Sequence, residues 1–364
     1  MKGRVILAAV VALGATGADA CTTVCFTHGN TPVVAYNYDY HSSDGLVLVN
    51  PRGLRKISIL DGKPHTWTAR FGSVSFNQFG RDQPMTGINE QGVVVAQMWH
   101  SDGQYPGLDA RPEVAVLEWV QLQLDTARTV GDVLKSAREI RIRSSSPLHF
   151  LAADRSGGVA VIEFLDGKLR ARTGADLPVP VLTNSTYSDS LAYLRRYKGF
   201  GGDADVSGAI SGDRESLTRF VIAAAGQAAA TDGDPVARAF ATLANARAPG
   251  WTNWSIVYEL GPLRAHFRTE EHAAIRFVDL AAFDFACQQP ARMLDVDAKL
   301  EGDVSARFTP YSTAANLDLV TRSYRKVPFL METRDSALQA VARQPERSRC
   351  VGAGVSSSGR SASP

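Results

Sequence analysis

The chain carries none of the usual signatures of metal, nucleotide or nucleic-acid chemistry. It has no H-E-x-x-H and no C-x-x-C, and its seven histidines (His28, His41, His65, His100, His149, His266 and His272) are scattered, so no metal site is expected. The glycine-rich pieces at 199–202 and 352–354 have no following Lys-Ser/Thr, which excludes a phosphate cradle, and no G-x-S-x-G serine elbow occurs. With 39 basic against 37 acidic residues and a formal charge of +2, evenly mixed, there is no footprint for a nucleic-acid partner. No segment reaches the ~18 uninterrupted apolar residues of a membrane span. Four cysteines, Cys21, Cys25, Cys287 and Cys350, are too few for a disulfide framework. Cys287 and Cys350 can pair if the fold brings them close, and Cys25 reads as a small buried apolar residue. A chain of 364 residues, 45% hydrophobic and 21% charged, has ample material for a core, and a cofactor-free protein is the simplest reading.

What is present begins at the N-terminus. Lys2 and Arg4 precede an apolar run from Val5 to Ala15, and Ala18-Asp19-Ala20 has the small-residue spacing of a cleavage site. Residues 1–20 therefore read as a secretory signal peptide, with the mature protein soluble in the periplasm or secreted. Cleavage after Ala20 makes Cys21 the first residue. A cysteine at that position also admits lipidation, although Ala18 and Asp19 suit a bacterial lipobox poorly.

From Cys21 to Trp99 the pattern is β: Thr22 to Thr27, Val33 to Asp39, Leu46 to Val49, Lys56 to Leu60, Thr66 to Phe76 and Val93 to Trp99 are short β-branched or aromatic runs between Gly-Asn, Asp-Gly and similar turns. Two amphipathic helices follow, one on Val114, Leu117, Val120 and Leu124, the other from Val130 to Ile140 behind a Thr129/Asp132 capping box. Strands return at Leu148 to Ala152, Val159 to Phe164, Leu169 to Thr173 and Pro180 to Leu182. Helical patterns cover Ser188 to Tyr197, Glu215 to Ala228 and Val236 to Ala244, and three further strands run from Ser255 to Val278. Blocks of strands alternating with blocks of helices predict an α+β fold with helices outside two stacked antiparallel sheets, a four-layer αββα sandwich. Residues 21–345 form one domain, and the Ser- and Gly-rich residues 346–364 read as a disordered tail.

As a free N-terminus, Cys21 carries a thiol with an ordinary pKa of about 8.5 and an α-amine of about 7.7–8.0. The amine is a competent base near neutral pH and is tethered beside the sulfur it would deprotonate, so one residue supplies nucleophile and base.

The segments Cys21-Thr22-Thr23-Val24-Cys25-Phe26, Asn37-Tyr38-Asp39, Gly87-Ile88-Asn89-Glu90-Gln91-Gly92 and Leu182-Thr183-Asn184-Ser185 resemble, in order and spacing, the choloylglycine hydrolase family of conjugated bile acid hydrolases and penicillin V acylases. The resemblance spans nearly all of residues 21–345. It implies the αββα fold of N-terminal-nucleophile hydrolases and hydrolysis of C–N bonds in linear amides, without a cofactor. It casts Cys21 as nucleophile, Asp39 as the partner of its α-amine, and Asn184 with the backbone N–H of Trp99 as oxyanion donors. Arg219 in Leu217-Thr218-Arg219-Phe220 becomes the cation that favours thiolate. One departure stands out: where the family usually has Arg before Asn-x-Asp, this chain has Tyr36. Tyr36 and Trp99 are the expected substrate-contacting residues, with Trp99 as an apolar wall for an acyl chain.

The leading expectation is thus an exported cysteine amidohydrolase acting on a small N-acyl amide: an acyl-amino acid, or a bile-salt-like, penicillin V-like or acyl-lactone compound. The family resemblance also implies a homo-oligomer, tetramer or dimer. An acyltransferase on the same fold and a lipid-anchored, non-enzymatic binding protein with Cys21 as its anchor are the alternatives.

Overall fold

The strand Val94–Trp99 is buried on both faces, and its residues alternate between two cores. Val94, Ala96 and Met98 join the cluster built on Val24, Tyr36, Phe76 and Ile256, whereas Val95, with Val93 just ahead of the strand, packs with Trp119, Val120, Phe150 and Ile162. A strand with period-two burial on both sides belongs in the interior of a layered structure.

The structure is a computed structural model that describes residues 20–28, 31–210, 215–229 and 233–351. The expected signal peptide up to residue 19, the Gly-Asn turn at 29–30 and the chain from 352 onward lie outside the described residues. No described helix is long and apolar enough to cross a membrane.

One sheet has the strand order 181–182, 22–28, 31–39, 252–259, 264–269, 276–279, 302–303. The other runs 168–173, 159–165, 148–153, 94–99, 86–89, 73–77, 46–50, 292–295, 309–310. Helices Ser216–Ala228 and Pro235–Asn245 cover the first sheet, and Val116–Thr126 and Val130–Glu139 the second. The expected α+β, four-layer αββα arrangement is what the chain adopts. The helix Val130–Glu139 starts on the anticipated capping box: Thr129 Oγ1 accepts the Asp132 N–H and the Asp132 carboxylate accepts the Thr129 N–H.

Four expectations are corrected. The run Thr66 to Phe76 is two strands, Thr66–Thr68 and Ser73–Asn77. The break falls at Gly72, where a Cβ would lie 2.2 Å from the ring of Phe285, so the chain must turn where only glycine fits. Val114 pairs in parallel with Ile142, and the helix begins at Val116 instead. The strands do not end at Val278: Arg292–Asp295 and Thr309–Pro310 extend the second sheet, and helices Thr313–Lys326 and Asp335–Arg343 follow. The tail does not begin at 346, because Arg349–Cys350 pairs with Leu54–Ile57 and Cys350 is disulfide-bonded to Cys287, with the Cα atoms 5.6 Å apart.

Candidate active site

Cys21 enters the strand Thr22–His28, whose register with Thr31–Asp39 sets Thr22 opposite Asn37 and Thr23 opposite Tyr36. The side chain is 3% exposed, with Sγ 3.7 Å from Tyr36 Oη and 3.8 Å from the Asp39 carbonyl. Tyr36 is fully buried beneath the sulfur and donates its hydroxyl to the Gln97 carbonyl at 2.9 Å. It therefore lies under the nucleophile candidate and presents no open face to a ligand.

Asp39 ends the second strand, fully buried, and neither carboxylate oxygen has a well-formed hydrogen bond. Burial pushes its carboxyl up to about 7, and the charges of Arg219 and Arg247 with the Thr252 hydroxyl offset this only in part. The Cys21 thiol is pushed up to about 12, first by burial and then by the negative charge of Asp39. The opposing pull of Arg219 is weaker. With Ala20 still attached, the thiol is thus protonated at neutral pH, although Arg219 pulls toward the thiolate as expected.

Arg219 projects from helix Ser216–Ala228 and is 2% exposed. Its Nη1 donates to the Ala20 carbonyl at 2.6 Å, the Cys21 carbonyl at 2.6 Å and Thr22 Oγ1 at 2.8 Å, and its Nη2 to Asn184 Oδ1 at 2.8 Å. Such a fork is beyond the reach of a lysine. Asn184 follows the short strand Val181–Leu182; its backbone N–H is held by Ser216 Oγ and its Nδ2 donates to the Trp99 carbonyl at 2.9 Å. An amide nitrogen carries two protons, so one remains for a ligand.

The N–H of Trp99 can be located from the ladder. His100 N–H bonds Pro147 on one neighbouring strand and Gln97 N–H bonds Met85 on the other side, so alternation turns the Trp99 N–H away from the 148–153 strand, beyond the end of Thr86–Asn89. That is the side on which Asn184 and Tyr36 contact this strand. The Trp99 indole is half-buried, with its ring centroid 6.2 Å from that of Phe329. His41, half-buried between Trp251 (5.2 Å) and Phe329 (6.4 Å), continues this aromatic rim. All six residues singled out from the sequence, Cys21, Tyr36, Asp39, Trp99, Asn184 and Arg219, are linked through these contacts.

A second group was not foreseen. His100, His149 and Glu163 come together directly behind Asn184, each at most 1% exposed. The signal lay in two ionisable residues set inside otherwise apolar strands. His149 and Glu163 stand one step beyond the Phe150–Ile162 pair, opposite one another across the ladder.

Residues 21–291 match the linear amide C–N hydrolases, choloylglycine hydrolase family. The chain belongs to this family. It is a hydrolase of linear amide C–N bonds, and its sandwich is that of the N-terminal-nucleophile hydrolases. A penicillin V acylase of Pectobacterium atrosepticum is 24% identical over 367 aligned positions, 85% of this chain and 96% of the relative. The solved penicillin V acylase of Agrobacterium tumefaciens superposes with a TM-score of 0.70 at 22% identity, covering 80% of this chain and 98% of that one. A variant of the conjugated bile acid hydrolase of Clostridium perfringens gives 0.65 at 18% identity, over 77% and 98%. Phe329 and the two C-terminal helices lie beyond the residues matched to the choloylglycine hydrolase family.

Proposed function

We propose that this protein is an exported choloylglycine-family amidohydrolase in which cleavage after Ala20 frees Cys21 to attack the acyl carbonyl of an N-acyl substrate. The observation that carries the reading is the Asp39 carboxylate, fully buried beside Cys21 and without a well-formed hydrogen bond while the Ala20–Cys21 peptide is intact. Cleavage would create an α-ammonium at Cys21, the missing partner for that charge. A buried thiol in contact with Tyr36 also suits a nucleophile better than a lipid anchor, which must be exposed.

In this mechanism the neutral α-amine takes the thiol proton as sulfur attacks the carbonyl carbon. The resulting oxyanion receives the free Asn184 Nδ2–H and the Trp99 N–H. The ammonium at Cys21 protonates the leaving amine as the C–N bond breaks, leaving a thioester on Sγ. Water, deprotonated by the same amine, then releases the acid and restores the thiol. Trp99, Phe329, His41 and Trp251 give the site an aromatic rim suited to an apolar or aryl acyl group, which favours penicillin V-like and acyl-chain amides as substrates.

The test is turnover by protein whose intact mass and N-terminus establish that it begins at Cys21. The panel comprises phenoxymethylpenicillin, glycine- and taurine-conjugated bile salts, N-acyl homoserine lactones and N-acyl amino acids. Turnover that disappears in Cys21→Ala with unchanged thermal unfolding supports the reading. Normal activity of that variant, or a diacylglycerol adduct on Cys21 of the exported protein, overturns it.

A further inference from the structure

The chemistry above makes no use of His100, His149 and Glu163, although they are buried against the loop that carries Asn184. Each ring commits one nitrogen to that loop. His100 Nδ1 lies 3.1 Å from the Asn184 carbonyl, and His149 Nε2 lies 2.5 Å from the Thr183 carbonyl. A carbonyl can only accept, so both of these nitrogens carry protons. The remaining nitrogens, His100 Nε2 and His149 Nδ1, face Glu163 Oε1 at 3.9 and 3.6 Å and have no hydrogen bond of their own. Glu163 Oε1 also accepts the N–H of Tyr187, at the start of helix Tyr187–Leu194.

If both rings were neutral, two nitrogen lone pairs and a carboxylate would confront one another in a space closed to water. Such a set requires a cation, either a metal ion or a proton. The ring geometry separates the two. An imidazole binds zinc in its own plane at ~2.0–2.1 Å. These rings are stacked, with planes 10° apart and centroids at 4.3 Å, so their lone pairs lie in two separate, nearly parallel planes that share no point at coordination distance. A proton needs no such convergence. His149 donates from Nε2 to Thr183 O and has a carboxylate oxygen, Glu163 Oε1, 3.6 Å from Nδ1, a setting that favours an imidazolium. Burial alone would raise the Glu163 carboxyl, but His149 holds it below its ordinary value, whereas burial, followed by the charge of His149, holds His100 low.

We infer that His100, His149 and Glu163 form a buried positioning triad for Asn184, in which a protonated His149 paired with Glu163 and a neutral His100 stacked on it grip the carbonyls of Thr183 and Asn184. By fixing both carbonyls of this turn, and Tyr187 beyond it, the triad sets the direction of the Asn184 amide toward Trp99 and the acyl oxygen. The inference rests on the reading of Asn184 as an oxyanion donor. None of the three residues touches the substrate, so they act through Asn184.

Two measurements on the full mature chain test it. The first needs no substrate: ring-nitrogen NMR of 15N-histidine-labelled protein at pH 7, assigned by single substitutions, should show both nitrogens of His149 protonated and His100 protonated at Nδ1 alone. A neutral His149, or stoichiometric zinc in elemental analysis with both rings shifted as ligands, overturns the proposal. The second uses phenoxymethylpenicillin, or whichever compound of the panel the wild type cleaves. Glu163→Gln keeps an acceptor for Tyr187 but loses the charge, and it should lower kcat about tenfold or more with KM within about twofold. His100→Phe should do the same, whereas His100→Asn, whose amide nitrogen stands where Nδ1 stood, should recover most of the loss. Equal kcat in Glu163→Gln and wild type, or no difference between His100→Phe and His100→Asn in folded protein, overturns the positioning role. If the wild type cleaves nothing in the panel, the functional reading fails by itself, and the ring nitrogens still decide the triad.

Discussion

Arg219 donates from Nη2 to the side-chain oxygen of Asn184 at 2.8 Å, and this bond decides which end of the amide faces Trp99. With the oxygen held, the Asn184 nitrogen can only point toward the Trp99 carbonyl, where it donates at 2.9 Å. Asn184→Ala should therefore lower kcat by about 10²–10³ with a smaller change in KM, the cost of one oxyanion donor. Steady-state kinetics on the best panel substrate check this. A loss confined to KM would assign Asn184 to ground-state binding.

The Asp39 carboxyl makes the uncleaved chain pH-sensitive in a definite direction. Its value in that fold is about 7 against an ordinary 3.8, so the folded state holds the proton more tightly than the unfolded state does. Its contribution is fully favourable below about pH 4, and stability then falls until the pH passes about 7. In protein retaining Met1–Ala20, Asp39→Asn should abolish that fall, measured as Tm between pH 4 and 8. In protein beginning at Cys21 the same substitution should destabilise, because the α-ammonium then pairs with the carboxylate.

Tyr36→Phe removes a hydroxyl that donates to Gln97 O and stands 3.7 Å from the thiol. Leaving the buried Gln97 carbonyl unpaired should cost about 1–3 kcal/mol of stability, read by denaturant unfolding. Loss of the contact with sulfur should lower kcat by about tenfold, the equivalent of one weak hydrogen bond to the reacting group.

The disulfide joining Cys287 to Cys350 spans 63 positions of sequence. Replacing both cysteines with serine should destabilise the protein by about 4 kcal/mol, judged by loop length. Thermal unfolding with and without reductant checks this: the wild type should move toward the double variant on reduction, and the double variant should not move.

Much of the site was legible because it depends on local order. Cys21, Tyr36 and Asp39 lie on one hairpin whose alternation is plain, and Asn184 and Arg219 stand in short motifs. The C-terminal helices were not legible, for a reason visible in their burial. The inward positions of Thr313–Lys326 are Asn316, Leu319, Val320 and Ser323, and two of these four are polar, so the hydrophobic period is broken. Asn316 is inside because it donates to the Ala342 carbonyl and accepts the Arg81 N–H, partners far away in sequence. The meeting of His100 with His149 was hidden in the same way, since strand pairing alone brings them together. The break at Gly72 depends on Phe285, more than two hundred residues later.

Ala20 is 1% exposed, and its carbonyl is held by Arg219. Proteases cut preferentially at exposed, loosely held chain, and the carbonyl of the Ala20–Cys21 bond is neither. If Cys21 is freed as proposed, the cut would have to come before helix Ser216–Ala228 docks on that carbonyl, and a chain that folded first would remain an intact precursor. The rate of folding, as much as the chemistry at sulfur, would set how much active protein a cell obtains.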